Sequence, residues 1–187
     1  MIIKCNMEAL LRKIGVIKEG TSVAIRSISV VTCVACVVLN GLNGLFGPET
    51  VSEVSDKFRL WVTPPDLFFS IWGIIYTLVT VVLLVAVWRN SWSTHSHLWF
   101  WTVNVLNTLW IYVWCRGTTA AMIPACIIIA ALALSLFCLW SSLANQSPDL
   151  YLLTRNTFAL YFGWVSGATL INFGIVLVYV FKNLSQK

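Results

Sequence analysis

The chain has 187 residues, of which 59% are hydrophobic and only 10% are charged. A soluble domain carries about 25% charged residues, so this chain has too few charges to cover a water-facing surface. The composition therefore excludes an ordinary soluble domain and indicates an integral membrane protein whose first partner is the lipid bilayer. The net charge of +5 is scattered without a basic, aromatic patch, so we expect no nucleic-acid partner.

The chain begins with a mixed polar segment over residues 1–21 and ends with a short tail over residues 182–187. Between them lie five apolar runs, each near the ~20 residues that cross a bilayer. They cover about 22–43, 66–88, 98–115, 119–143 and 157–181. Backbone in a bilayer must satisfy its own hydrogen bonds, so all five are expected to be helices. The sequence thus predicts an all-α membrane protein, with one five-transmembrane-helix bundle over residues 22–181.

The connections between the predicted spans are short, with one exception. "RNSWSTHSH" joins the second span to the third, and "NQSPDLYLLTRN" joins the fourth to the fifth. The long connection is residues 44–65, "GLFGPETVSEVSDKFRLWVTPP", which mixes acidic and basic side chains. A loop of this length over a small bundle is a candidate lid, and we expect it to be more mobile than the helices. Five crossings place the two termini on opposite sides, and the distribution of Lys and Arg favours a cytoplasmic N-terminus.

Aromatic side chains follow helical spacing at the start of the second span, "TPPDLFFSIWGIIY". Its prolines and aspartate suit a first helical turn, where a missing N–H is harmless and a negative charge is favourable. Phe68, Trp72 and Tyr76 are four residues apart, so they are predicted to share one helix face.

The third and fifth spans carry similar stripes. In the third, Asn104 and Asn107 are expected to face the bundle, because an unpaired amide in lipid is unfavourable. The stripes are Val103, Asn107, Trp110 and Trp114 in the third span, and Tyr161, Trp164, Ala168 and Asn172 in the fifth. Gly163 and Gly167 form a G-x3-G pair, which is predicted to allow close helix approach. The stripes fit either a bundle core with interhelical hydrogen bonds or the lining of a ligand cavity, and the residues alone leave both open.

Two further patterns suggest chemistry, but a structural interpretation fits each better. Cys33 and Cys36 form a C-x2-C inside an apolar run, where a thiolate would be badly desolvated, so we interpret them as small packing residues. His95 and His97 have no nearby Cys, His or acidic residue to complete a metal site, and we interpret them as part of a polar interfacial loop. We therefore predict no metal site and no catalytic residues.

Three motifs in the second, third and fifth spans resemble the TspO/MBR family of translocator proteins and tryptophan-rich sensory proteins. They are P-x7-W-G-x2-Y at Pro64, Trp72, Gly73 and Tyr76, N-x2-W at Asn107 and Trp110, and Y-x2-W-x7-N at Tyr161, Trp164 and Asn172. The resemblance covers roughly residues 22–181 and is that of a distant, eukaryotic-type member. The proline pair that the family often carries after N-x2-W is absent, and "IYVWC" stands there.

The resemblance implies a five-helix bundle with a pocket under the first loop. Family members bind tetrapyrroles such as protoporphyrin and haem, and in animals cholesterol and synthetic aromatic ligands, for transport or sensing. Together with the stripes it predicts the ligand-binding residues Trp61 in the lid, Phe68, Trp72, Tyr76, Asn107, Trp110, Tyr161, Trp164 and Asn172. On this interpretation a tetrapyrrole is a ligand that the protein binds, and the protein requires no cofactor.

Other roles remain open from the sequence. One alternative is a light- or oxygen-dependent porphyrin-degrading enzyme, and another is a structural or assembly subunit without a ligand. Residues 177–182 also fit a short cholesterol consensus, which we interpret as an interfacial anchor at Tyr179 and Lys182. The sequence also leaves open whether the protein forms a homodimer, and whether it lies in the mitochondrial outer membrane or in another membrane.

Overall fold

A computed structural model describes residues 21–143 and 148–181 of the chain. The predicted N-terminal segment, apart from Thr21, and the predicted tail lie outside the described residues. Within the described residues the secondary structure is helical and contains no strand. The all-α prediction is therefore confirmed for this part of the chain.

Five long helices make up the bundle, with two shorter helical pieces between the first and the second of them. The elements are α1 (Val23–Phe46), α2 (Val51–Lys57), a 3-10 helix (Asp66–Ser70), α3 (Ile71–Arg89), α4 (Thr94–Trp114), α5 (Thr119–Ser142) and α6 (Pro148–Ile175), which continues as a π-helical segment (Val176–Phe181). Each of the five predicted spans overlaps one of the long helices, and the second also covers the 3-10 helix.

The five long helices close into a ring. Helix α4 packs between α1 and α5, and α6 packs against α5. Helix α3 completes the ring through contacts to α6 on one side and to α1 on the other. This order brings α3, α4 and α6 together around the centre of the bundle, and these three helices carry the aromatic stripes.

Four segments are long and apolar enough to cross a membrane: Val23–Phe46, Asp66–Arg89, Thr119–Ser142 and Tyr151–Phe181. Helix α4 has 21 residues but is not among them. It carries two histidines and two asparagines that lower its hydropathy, although three of these four side chains are buried in the bundle. The composition of the described residues thus supports four crossings, and the predicted count of five depends on α4.

The start of the second span differs from the prediction because its first turn is a 3-10 helix. Such a helix has three residues per turn, which shifts the direction of its side chains relative to an α-helix. Phe68 is consequently 57% exposed, and the neighbouring Phe69 packs against the core. The predicted shared face of Phe68, Trp72 and Tyr76 is therefore wrong for Phe68.

Two predicted connections are partly helical. Helix α4 begins at Thr94 because the Ser93 side chain accepts a hydrogen bond from the Ser96 backbone N–H, so His95 and His97 lie in a helix and not in a loop. Helix α6 already includes Pro148, nine residues before the predicted span over 157–181.

A candidate aromatic cavity between α3, α4 and α6

A cavity of about 200 Å³ lies between α3, α4 and α6, under the segment that connects α1 to α3. Five of its lining side chains are tryptophan or phenylalanine rings, which come from the 3-10 helix, α3, α4 and α6. The lining consists of Val51, Ser55, Val62, Pro64, Phe69, Trp72, Trp110, Trp114, Gly163, Trp164, Gly167, Ala168, Ile171 and Asn172.

The indole of Trp72 lies at the centre of a cluster of rings. It stacks on Tyr76 and lies tilted against Trp110, with ring centroids 5.7 Å apart in both pairs. The rings of Tyr161 and Trp164 meet it edge-on at 6.1 and 6.3 Å. Offset and edge-to-face contacts at these distances are favourable, so Trp72 is fixed by its neighbours on three helices.

The stripe on α4 is placed as its spacing predicts. Val103, Asn107, Trp110 and Trp114 are all at most 2% exposed. Trp110 and Trp114 are four residues apart and stack with their centroids 5.7 Å apart, forming one wall of the cavity. Asn104 is also buried, so the expectation that both asparagines of α4 face the bundle is confirmed.

The two glycines of the G-x3-G pair do not act as predicted. A Cβ atom added at Gly163 or Gly167 would meet no atom within 4 Å, so neither glycine is needed for a close helix contact. Both line the cavity instead. Their missing side chains leave space beside Trp164, and this space is part of the cavity volume.

Polar side chains from three helices meet behind the aromatic cluster. The Tyr76 hydroxyl donates to Asn107 Oδ1 at 2.9 Å, and the Asn40 amide donates to the same oxygen at 2.6 Å and to the Tyr76 hydroxyl at 2.9 Å. The Cys36 thiol donates to Asn107 Oδ1 at 3.4 Å. Asn107 is completely buried, and it joins α1, α3 and α4 at this point.

Sequence reasoning missed Asn40 in this cluster. The available signal was an asparagine near the end of an otherwise apolar span, which indicates a buried partner. A second buried amide was predicted and is found: Asn172 of α6 accepts a hydrogen bond from Trp110 Nε1 at 3.4 Å and donates to the Ala168 carbonyl at 2.9 Å. This contact links two of the predicted stripes across the cavity.

The segment above the cavity is a folded element. Helix α2 begins with a capping box, in which the Thr50 side chain accepts from the Glu53 N–H while the Glu53 carboxylate accepts from the Thr50 N–H. Hydrogen bonds from the Thr50 backbone and hydroxyl hold the pKa of Glu53 below its ordinary value. Lys57 pairs with Glu49 at 2.7 Å, and Val54 is completely buried. Residues 47–65, which we call the cover segment, are therefore ordered around α2.

Contacts of Trp114 and Tyr179 help to attach the cover segment to the bundle. Trp114 Nε1 donates to the Val51 carbonyl at 3.2 Å. The Tyr179 hydroxyl donates to the Arg59 carbonyl at 2.8 Å, and the Tyr179 ring meets Phe58 edge-on at 5.3 Å. Tyr179, which the sequence suggested as an interfacial anchor, thus holds the cover segment in place.

The predicted site residues fall into three groups. Trp72, Trp110, Trp164 and Asn172 line the cavity. Tyr76, Asn107 and Tyr161 lie behind it, Tyr76 and Asn107 in the polar cluster and Tyr161 against the edge of Trp72. Trp61 and Phe68 line none of it: Trp61 is fully exposed, and Val62 and Pro64 form the underside of the cover segment in its place.

The cavity lining is apolar except for a few hydrogen-bonding groups. The indole N–H groups of Trp72 and Trp164 are buried and have no partner among the described residues. Over the same part of the chain, no group of three or more His, Cys, Asp or Glu side chains lies close enough to hold a metal ion. The arrangement suits a flat, largely hydrophobic molecule that carries hydrogen-bond acceptors.

Comparison with known proteins agrees with this architecture. A family model described as TSPO-like protein matches residues 26–185, which covers α1 from Arg26 onward and the other four long helices completely. Neither a curated protein nor a solved structure matches the chain.

Proposed function

Because the chain belongs to the TSPO-like protein family, we propose that this multi-pass membrane protein binds a flat hydrophobic ligand of the tetrapyrrole class in the aromatic cavity, for transport or sensing. We further propose that α4 is the fifth membrane crossing, since it lies between α1 and α5 in the ring of helices. The four tryptophans that line the cavity carry the ligand proposal.

Ring stacking is the main contribution expected from the cavity. Trp72, Trp110, Trp114 and Trp164 present indole rings from three helices to one space. Each aromatic contact with a flat ligand contributes on the order of 1 kcal/mol beyond simple burial. The indole N–H groups of Trp72 and Trp164 supply donors for ring nitrogens or carboxylates of such a ligand.

The size of the cavity places a condition on binding. Small-molecule sites usually measure about 300–1,000 Å³, and this cavity of about 200 Å³ is smaller. A tetrapyrrole therefore requires the cover segment to move, and the residues that it would displace are those of the segment that line the cavity, Val51, Ser55, Val62 and Pro64. The contacts of Trp114 and Tyr179 with the cover segment then set the resistance to opening.

Titration with protoporphyrin IX tests the proposal. The purified protein in detergent is titrated while quenching of its tryptophan fluorescence is recorded. Trp72→Ala should weaken binding about tenfold or more, which corresponds to about 1.4 kcal/mol. Trp88→Ala is the matched control, because Trp88 is 79% exposed near the end of α3 and lines no part of the cavity.

The outcomes separate the three roles that the sequence left open. Equal binding by the two variants, both shown to be helical by circular dichroism, would favour a structural subunit whose rings only pack helices. Loss of protoporphyrin absorbance during illumination, with formation of a new product, would favour a degrading enzyme. Saturable binding without loss of the pigment supports transport or sensing.

A further inference from the structure

A second groove lies on the outer side of the bundle, separated from the aromatic cavity by Trp72. It has a volume of about 300 Å³ and is bounded by α1 and α3, with α4 at its base and Val51 of the cover segment at one end. Trp72 and Val51 line both spaces. Neither the motifs nor the proposed ligand accounts for this groove.

One face of α1 forms the longest wall of the groove. Val37, Asn40, Gly41 and Gly44 are spaced three, one and three residues apart, so they lie on one helix face. A Cβ atom added at Gly41 or Gly44 would meet no atom of the described residues within 4 Å. The two glycines therefore widen the groove and are not required for helix packing.

Two amide groups of this wall are unsatisfied. Asn40 is 9% exposed, and its amide nitrogen donates to Asn107 and Tyr76, which leaves its carbonyl oxygen without a partner among the described residues. Over the same part of the chain, the amide nitrogen of Asn43 is also buried and makes no hydrogen bond of normal geometry, and the Cys115 thiol beside it can occupy only one of its two N–H groups. Buried polar atoms in folded proteins are nearly always hydrogen-bonded, so both groups call for a partner from outside the described residues.

The two groups complement each other. Asn40 offers an acceptor and Asn43 a donor, and three residues of α-helix correspond to a rise of about 4.5 Å. A hydroxyl makes hydrogen bonds of about 2.8 Å and acts as donor and acceptor at once, so one hydroxyl has the reach to satisfy both amides. None of the described residues that line the groove is charged, which disfavours a phosphate headgroup.

We propose that this groove binds a neutral lipid with one free hydroxyl, of the diacylglycerol type. The hydroxyl bridges Asn40 Oδ1 and Asn43 Nδ2, and an acyl chain extends along Val37 toward the middle of the bilayer. Both asparagines lie in the last two turns of α1, near the end of the span, where the hydroxyl of such a lipid resides. The site is separate from the aromatic cavity and does not depend on tetrapyrrole binding.

Photolabelling tests the proposal on the full chain in detergent micelles. A diacylglycerol with a diazirine in one acyl chain is crosslinked, and the labelled peptides are mapped by mass spectrometry. We expect the label on α1 and α3. Dioleoylglycerol should compete with the probe at a concentration about tenfold or more lower than trioleoylglycerol needs, because trioleoylglycerol has no free hydroxyl. Equal competition by the two lipids would show an unselective apolar surface and overturn the proposal.

Two variants and a matched control connect the label to the amides. Asn43→Leu removes the donor and should reduce the competable label at least fivefold, and Gly41→Leu should do the same by filling the groove. Val38→Leu is the control, because Val38 is half exposed on α1 and does not line the groove. If Asn43→Leu is labelled as strongly as the wild type, the proposal is contradicted. It is also contradicted if the wild-type protein shows no competable label, since water would then bridge the two amides.

Discussion

The Tyr76 hydroxyl donates a hydrogen bond to Asn107 Oδ1 at 2.9 Å and thereby joins α3 to α4 in the interior of the bundle. The Asn40 amide donates to both groups from α1. One buried oxygen thus collects hydrogen bonds from two neighbouring helices, directly behind the ring of Trp72 that forms a wall of the cavity.

The first prediction concerns this cluster. Asn107→Leu should lower the free energy of unfolding by about 1–3 kcal/mol, because the donors on Asn40 and Tyr76 lose their shared acceptor in a buried site. Tyr76→Phe should have a smaller effect of about 1 kcal/mol, since Asn40 keeps its bond to Asn107. Unfolding in mixed micelles measures both changes, and the double variant should show a coupling of about 0.5 kcal/mol or more. Strictly additive effects would mean that the two groups do not interact.

The second prediction uses the open space at Gly167. Gly167→Leu should keep or increase the stability of α6, because replacing glycine in a helix is worth up to about 1 kcal/mol and the new side chain meets no atom at its Cβ. The same side chain fills the cavity, so protoporphyrin binding should fall about tenfold or more. Gly73→Leu is the control, since Gly73 is equally open but lines neither the cavity nor the groove. Wild-type binding by Gly167→Leu would place the ligand elsewhere.

The third prediction concerns the cover segment. We expect residues 47–65 to exchange their amide hydrogens faster than α4, because the cover segment opens without unfolding the bundle. Tyr179→Phe keeps the ring against Phe58 but removes the bond to the Arg59 carbonyl, and exchange in the cover segment should then be several-fold faster. Tyr112→Phe serves as control, because Tyr112 is half exposed on α4. Identical exchange in wild type and Tyr179→Phe would show that this bond does not limit opening.

The fourth prediction concerns the number of crossings. If α4 crosses the membrane with the four more apolar segments, the two ends of the chain lie on opposite sides, and with four crossings they share a side. Cys5 and a cysteine introduced by Ser185→Cys are labelled with an impermeant maleimide on sealed vesicles. We expect only one of the two positions to react from outside before lysis, and both to react after it. If both cysteines react from the same side, α4 does not cross the membrane.

The sequence by itself determined the class of the protein, the positions of its long helices and the stripe on α4. Hydropathy and helical spacing are properties of the chain alone, because lipid forces each span to satisfy its own backbone and leaves the i, i+3 and i+4 spacing to define its faces. The faces of α4 and α6 were predicted correctly for that reason. Asn107, Trp110 and Trp114 are buried, and Trp164 and Asn172 line the cavity.

The tertiary structure decided what these faces meet. Phe69 packs against the core where Phe68 was predicted to do so, because the local 3-10 turn has a different angle per residue from an α-helix. The spacing of residues in an α-helix cannot predict this difference. Gly163 and Gly167 line space instead of a helix contact, because the distance between neighbouring helices is set by the bulky rings of Trp72 and Trp164. Asn40 joined Tyr76 and Asn107 only because the ring order places α1 beside both α3 and α4, and contacts between residues far apart in sequence arise when the helices pack.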